Sequence, residues 1–201
     1  MSDHFNEQEL RDRLNVIESM IAEGRRNTQN WGWAFVLWGV AYYVAMAWSA
    51  WRAGAWWAWP VTMLAAAAVT IAIATSKAGD RPRTTLGRGI GSIWIATGIS
   101  MFVLFFALSA GGLLTDPRLF AAIASAMLGV ANGASAIMLR WRVQLVCAIV
   151  WWATAVAMCF VSGARSIIVF LAAIFLCQIV FGIYGMIAPG RKNDPRVPAH
   201  A

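Results

Sequence analysis

Residues 89–110 read GIGSIWIATGISMFVLFFALSA, a run of 22 residues without a charged side chain. A helix of about 20 apolar residues crosses the hydrocarbon core of a bilayer. Together with five similar blocks, it makes six apolar blocks between Trp31 and Ala188. Five short clusters of charge separate them: Arg52; Lys77, Asp80, Arg81, Arg83 and Arg88; Asp116 and Arg118; Arg140 and Arg142; Arg165. The sequence therefore predicts an all-α, polytopic membrane protein with six transmembrane helices.

The same pattern divides the chain into three parts. Residues 1–30 are polar and form a helix and a hinge, residues 31–188 form the six-helix bundle, and residues 189–201 form a disordered tail. We expect spans near residues 31–50, 57–76, 89–110, 117–139, 143–161 and 166–187. Asp116 should cap the fourth span, with Pro117 at its first position. Because the loops are short, consecutive spans should be antiparallel neighbours.

The basic residues predict the orientation of the chain, since Lys and Arg accumulate in cytoplasmic loops. They are concentrated after the second, fourth and sixth spans, whereas the opposite side carries only Arg52, Arg118 and Arg165. Both termini should therefore lie in the cytoplasm. This topology accounts for the net charge of +7, so we expect membrane lipids and no nucleic acid as partners.

The N-terminal segment contains an amphipathic pattern. Four apolar residues recur at spacings of 4, 3 and 4, which places them on one face of a helix: Leu10, Leu14, Ile17 and Ile21. As a heptad seam, this stripe would be flanked by the opposite charges of Arg13 and Glu18. The stripe could pack on the protein's own cytoplasmic face, lie in the membrane interface, bind a second copy of the chain or bind another protein. Residues 24–27 would form the hinge, or a basic segment at the headgroups.

Tryptophan is abundant, with 12 residues in 201. Five of them crowd the outer end of the first helix pair: Trp48, Trp51, Trp56, Trp57 and Trp59. Tryptophan prefers the headgroup level because its ring is apolar while its N–H needs a partner. The cluster therefore predicts an aromatic belt, or alternatively an outer site for a lipid, hydrophobic or cationic ligand.

Two further patterns concern the interior of the bundle. Ser125, Gly129 and Gly133 give the fourth span a small face that allows close helix packing, within the chain or across a homodimer. Four polar residues fall at similar depth in their spans: Tyr42, Thr97, Asn132 and Gln178. Polar groups at this depth normally face the bundle interior, where they form interhelical hydrogen bonds or a small polar site.

The six apolar blocks lack the groups on which most intramembrane chemistry depends. Both histidines, His4 and His200, lie in the termini, and the charges fall at the ends of the blocks. A haem or metal centre with histidine ligands and a proton relay each need such groups inside the membrane. We therefore expect no cofactor, no metal and no enzymatic activity. The thiols of Cys147, Cys159 and Cys177 should be free, because their depths in the spans do not match.

A polar helix with the pattern Leu14-x-x-Ile17-x-x-Met20-Ile21-x-Glu23-Gly24-x-Arg26 leads directly into a span rich in Trp and Gly, and Leu139-Arg140-Trp141-Arg142 joins the fourth and fifth spans. Together with the six spans, this resembles a loose group of small bacterial six-helix membrane proteins. It is also similar in size and topology to acid-resistance membrane proteins of the HdeD type. The resemblance implies a bacterial inner-membrane location.

Three functions remain open at this point. The leading hypothesis is a non-enzymatic scaffold, accessory or regulatory subunit that acts through protein interaction. A small transporter or channel for an uncharged or apolar solute, lined by the polar residues of the spans, is the alternative. The third is a lipid or hydrophobic-ligand binder at the outer tryptophans.

Overall fold

The computed structural model describes residues 7–52, 57–76, 85–113 and 116–187. Within these ranges the chain is helical and contains no strand. The helices are α1 (Glu7–Asn30), α2 (Gly32–Trp51), α3 (Ala58–Ser76), α4 (Thr85–Ala110), α5 (Pro117–Leu139), α6 (Arg142–Phe160) and α7 (Ala164–Ile187). Residues Phe175–Val180 form a π-helical segment within α7.

Helices α2 to α7 are each long and apolar enough to cross a membrane, which confirms the predicted all-helical, six-span class. Asp116 caps α5 as expected, because its side chain accepts a hydrogen bond from the Arg118 backbone N–H at 2.9 Å. One boundary differs clearly: α4 begins at Thr85 rather than Gly89, so Gly87, which precedes the third apolar block, is helical. The predicted disordered tail at residues 189–201 lies outside the described residues.

The helices pack in the order α3–α2–α7–α6–α5–α4. Consecutive spans are therefore neighbours as expected, except that α3 and α4 make at most marginal contact within the described ranges. The first span instead packs along the last, and this pairing is absent from the sequence prediction. Helix α4 is the least covered span, with only Ile90 buried along its length.

Glycine permits the close approach of α2 and α7. A β-carbon built on Gly32 would lie 2.6 Å from the carbonyl oxygen of Gly182, and one on Gly182 would lie 2.6 Å from the carbonyl oxygen of Gly32. Two helical turns further along α2, Gly39 packs against the side chain of Ile179. Small residues at this contact bring the two backbones together, as in other membrane helix pairs.

Helices α5 and α6 form the most closely packed antiparallel pair. Arg140, with a left-handed φ of 49°, ends α5, and α6 begins two residues later. The indole ring of Trp152 covers Gly129 and Gly133, where an added β-carbon would lie 2.3 Å and 2.9 Å from the ring. The structure thus places the small face of α5 at a contact within the chain.

The C-terminal part of α1 is anchored to the bundle. Gly24 packs against Leu139 of α5 and Leu86 of α4, and a β-carbon on Gly24 would lie 2.8 Å from Leu139 Cδ2. The Arg25 guanidinium donates from Nε to the Leu139 carbonyl oxygen at 2.6 Å and from Nη2 to that of Arg140. The chain is therefore continuous helix through residues 24–27, where the sequence predicted a hinge. Close packing and the cap on α5 account for the difference.

Aromatic side chains fill much of the core between the helices. Phe35 of α2 contacts Trp94 of α4 and Phe181 of α7 edge-to-face, with ring centroids 5.0 and 5.1 Å apart. Phe181 in turn contacts Trp141, in the turn between α5 and α6, at 5.3 Å. This series of rings joins four parts of the bundle near the end at which α1 docks.

Candidate functional site

The most conspicuous surface feature is the N-terminal part of α1. Every side chain from Gln8 to Met20 is exposed. The exposed fractions are 53% for Leu10, 52% for Leu14 and 53% for Ile17, whereas Ile21 is half-buried. Three of the four stripe residues therefore have no covering partner within the described part of the chain.

The exposed stripe continues the face by which α1 docks on its own bundle. Beyond Ile21, the next positions on this face are Gly24 and Thr28, at spacings of 3 and 4. Gly24 and Thr28 are both buried. One helical face is thus covered by the bundle at its C-terminal end and open at its N-terminal end. We refer to the open part, Leu10, Leu14, Ile17 and Ile21, as the α1 stripe.

The part of α1 that carries the stripe also contains six charged residues: Glu9, Arg11, Asp12, Arg13, Glu18 and Glu23. Arg13 Nη2 forms an exposed ion pair with Glu9 Oε1 at 2.5 Å, one turn earlier in the same helix. Glu18 lies at the edge of the stripe, and Asp12 lies on the opposite side of the helix. Acidic residues outnumber basic ones in this segment, but the surplus lies with Asp12 and Glu23, away from the stripe. The charges nearer the apolar face, on Glu9, Arg11, Arg13 and Glu18, are of both signs.

The tryptophans that the sequence predicted to form an outer cluster do not form one pocket in the part of the chain that the structure describes. Trp48 and Trp57 contact each other edge-to-face at 4.7 Å, whereas Trp59 turns inward against Tyr42 at 5.9 Å. Trp51 is 89% exposed, and Trp56 lies outside the described residues. The arrangement brings one pair of rings together at the surface and sends a third into the bundle.

The four polar residues predicted to share a depth lie in different surroundings. Tyr42 is buried among aromatic rings, and Gln178 is buried in the π-helical segment, where its Cβ approaches Gly39. Asn132 is fully buried on α5, and Thr97 is half-buried on α4. No hydrogen bond links any two of them in the described ranges. Asn132 instead donates from Nδ2 to the Leu128 carbonyl oxygen at 2.9 Å, within its own helix.

A different set of buried polar groups emerges on α5 and α6. Six side-chain atoms on these helices are buried without a hydrogen-bond partner in the protein: Ser125 Oγ, Asn132 Oδ1, Ser135 Oγ, Gln144 Nε2, Gln144 Oε1 and Trp151 Nε1. Gln144, Ser135 and Trp151 were missed in the sequence reasoning. Gln144 lies at the very start of its apolar block, and the other two resemble ordinary packing residues. Ser135 follows Asn132 by three residues, and Gln144 and Trp151 lie three before and four after Cys147. These spacings could have indicated one buried face on each helix.

The three cysteines are free, as predicted. The argument from depth is wrong for one pair, because Cys177 Sγ lies 3.6 Å from the Cys147 carbonyl oxygen. The π-helical segment of α7 carries Cys177 to this position on α6. Both residues are buried.

At the opposite end of the bundle, a charged pair holds the start of α5. Arg118 Nη2 lies 2.5 Å from Asp116 Oδ2, and Arg118 Nη1 donates to the Val161 carbonyl oxygen at the end of α6. The hydrogen bond from Arg118 holds the pKa of the Asp116 carboxyl below its usual value. This arrangement links the cap of α5 to the C-terminus of α6.

No cluster of three or more potential metal ligands (His, Cys, Asp or Glu) occurs among the residues that the structure describes. Comparison with models of known protein families, with curated protein sequences and with solved structures finds no match to this chain. The α1 stripe and the buried polar groups of α5 and α6 are therefore the candidate functional features of the described residues.

Proposed function

We propose that this protein is a non-enzymatic scaffold, accessory or regulatory subunit of the membrane that acts by binding another protein through the α1 stripe. The observation that carries the proposal is the exposure of Leu10, Leu14 and Ile17 on the face that packs against the bundle at Gly24 and Thr28. Amphipathic helices bind partners through apolar residues at such i, i+3, i+4 and i+7 spacings. Arg25 and Gly24 hold the helix in place on the bundle.

The charge of α1 favours a protein partner over a lipid surface. Interfacial helices that bind anionic membranes are rich in Lys and Arg on their polar face. The segment around the α1 stripe has the opposite bias, with four acidic and two basic residues between Gln8 and Glu23. The occupant that we propose is therefore an amphipathic helix of a partner protein, with charges of both signs beside its apolar face to pair with Arg13 and Glu18.

The experiment that tests this function is site-specific photo-crosslinking of the full-length protein in native membranes. The probe replaces Glu18, at the edge of the stripe, and a matched control places it at Asp12, an exposed carboxylate on the far side of the same helix. A foreign protein crosslinked from position 18 and absent from position 12 supports the proposal if mass spectrometry maps the crosslink to an amphipathic helix.

The other results contradict the proposal. Crosslinks from position 18 only to lipid would make α1 an interfacial helix, and crosslinks only to a second copy would make it an oligomerisation element. Equal crosslinking from positions 18 and 12 would mean that the stripe does not select the partner.

A pair of substitutions provides an independent check. Leu14→Lys places a charge in the centre of the α1 stripe, and we expect it to reduce partner capture by about tenfold or more, since burying an unpaired charge is costly. Ser19→Lys, opposite the stripe, should leave capture unchanged. Because both positions are exposed, neither change should alter the thermal unfolding of the bundle in detergent. Capture unaffected by Leu14→Lys would contradict the assignment.

A further inference from the structure

The polar atoms without protein partners are concentrated in the best-packed part of the bundle. Asn132 and Ser135 of α5, and Gln144 and Trp151 of α6, all have no exposed surface. Five of their side-chain nitrogen and oxygen atoms have no hydrogen-bond partner in the protein. Thr154, a neighbour on α6, differs in this respect because its hydroxyl donates to the Val150 carbonyl oxygen at 2.8 Å.

The register of α5 and α6 places these four residues at adjacent depths. A β-carbon on Gly133 would lie 3.6 Å from Cβ of Ala148, so Gln144 is level with Ile137 and Trp151 with Val130. At about 1.5 Å of rise per residue, the set spans about 10 Å of the bundle axis. Ser135 and Asn132 lie between the two ends of this interval.

The four side chains also turn to the same side of the helix pair. Asn132 and Trp151 each precede a contact residue, Gly133 and Trp152, by one position. One position is about 100° of helix rotation, which in an antiparallel pair turns both side chains to the same side. Helix α7 lies on this side, because Phe170 contacts the ring of Trp151 and Cys177 contacts the Cys147 carbonyl.

Unpaired polar groups are expensive in such surroundings. A buried donor or acceptor without a partner destabilises a protein, and the surrounding hydrocarbon offers no hydrogen bonds. A molecule with its own donors and acceptors would remove this penalty. Buried waters commonly do so in protein interiors, with about three hydrogen bonds each.

We infer that the face shared by Asn132, Ser135, Gln144 and Trp151 binds a small neutral molecule that both donates and accepts hydrogen bonds. Gln144 Nε2 and Trp151 Nε1 supply donors, Gln144 Oε1 and Asn132 Oδ1 supply acceptors, and the Ser135 hydroxyl supplies either. The ligand is neutral because the charges at this end of α5 are engaged elsewhere: Arg140 and Arg142 are exposed at the helix turn, and the Arg25 guanidinium is hydrogen-bonded to the Leu139 and Arg140 carbonyl oxygens. Water and small polyols share this chemistry.

The first test uses the sign of a stability change in the full-length protein. Gln144→Met keeps the shape of the side chain and removes its hydrogen bonds. If the site is occupied, the substitution should lower the thermal unfolding midpoint in lipid nanodiscs by several degrees. A rise in the midpoint would overturn the inference, because removing an unpaired polar group from a dry interior is stabilising. Thr154→Val, whose hydroxyl is already paired, is the matched control and should change the midpoint much less.

The second test observes the site directly and separates the two ligand sources. Solid-state NMR of the wild-type protein in vesicles measures polarisation transfer to the Gln144 side-chain nitrogen, first with water alone and then with ¹³C-glycerol added. Rapid transfer from water without glycerol supports bound water, and contact with glycerol carbons supports a polyol ligand. Either signal should be lost at this position in Asn132→Leu. Contact with neither molecule in the wild-type protein overturns the inference.

Discussion

At the scale of single residues, glycine determines where helices of this protein approach closely. Gly129 and Gly24 have large neighbours within a distance that a β-carbon would violate, whereas Gly91 and Gly98 of α4 have open space around them. The sequence singled out Gly129 by its spacing of four from Ser125 and Gly133. It contained no such pattern around Gly24 and did not reveal which side chain covers either glycine. The difference lies in the neighbour: Trp152 covers Gly129, and nothing within the described residues covers Gly98.

The first prediction follows from this contrast. Gly129→Ala should destabilise the protein by about 1–3 kcal/mol, because the added methyl group would lie 2.3 Å from the indole ring of Trp152. Gly98→Ala should cause no loss, since its β-carbon meets no atom within 4 Å. Reversible unfolding in mixed detergent measures both changes. Equal effects of the two substitutions would contradict the assigned packing, and Trp152→Ala should reduce the cost of Gly129→Ala.

At the scale of elements, side chains that cap helix ends tie separate helices together. Arg25 of α1 donates to the last carbonyl groups of α5, where a positive charge also interacts favourably with the helix dipole. The sequence reasoning placed Arg25 in a basic hinge. Its role depends on a residue more than a hundred positions away, so no local pattern could reveal it.

We expect Arg25→Ala to lower the free energy of unfolding by about 1.5–3 kcal/mol, the usual contribution of hydrogen bonds from a charged donor. Arg25→Lys should recover only part of this loss, because a lysine cannot donate two hydrogen bonds in the fixed geometry of a guanidinium group. The matched control is Arg26→Ala, at an exposed neighbour in the same helix. Equal losses from the two alanine substitutions would show that Arg25 does not cap α5.

The cap at the N-terminal end of α5 predicts that the stability of the protein depends on pH. Because Arg118 lowers the pKa of Asp116 in the folded protein, the stabilisation is fully present above the pKa of an unperturbed Asp, about 3.9. It is lost as the pH falls through the lowered value. Asp116→Asn retains a capping side chain but removes the charge, so it should be less stable than wild type at pH 7.

Thermal unfolding across pH 3–7 measures the difference in stability between the wild-type protein and Asp116→Asn. This range extends about one unit below the unperturbed pKa of Asp, and the difference should become smaller towards its acidic end. In an Arg118→Gln background, Asp116→Asn should have little further effect, because the ion pair is already absent. A difference that is constant over the whole range would contradict the role of the Asp116 charge.

At the scale of the whole molecule, the orientation in the membrane remains a prediction from the basic loops. A reporter fused after Ala201 should be active on the cytoplasmic side, and one inserted next to Arg165 should be active on the outer side. The N-terminal α1 and the C-terminal end of α7 would then share the cytoplasmic side. The reverse activity pattern would invert the topology, and it would place the α1 stripe on the outer face of the membrane.

The number of spans and most of their ends were predictable because both depend on local composition. A helix crossing hydrocarbon must satisfy its backbone hydrogen bonds internally and present apolar side chains along about 20 residues. This requirement is visible in consecutive residues, such as the uncharged run from Gly89 to Ala110. The capping of α5 by Asp116 was equally local.

Which helices touch was decided only by the tertiary structure. In lipid, neighbouring helices gain no hydrophobic advantage over surrounding acyl chains, so packing depends on the fit of particular surfaces. The pairing of α2 with α7 at Gly32 and Gly182, the docking of Gly24, and the burial of Gln144 all join positions far apart in the chain. The sequence by itself therefore determined which segments are long and apolar enough to cross a membrane and where most of them end. The fold decided which polar groups are enclosed and which apolar face of α1 remains open.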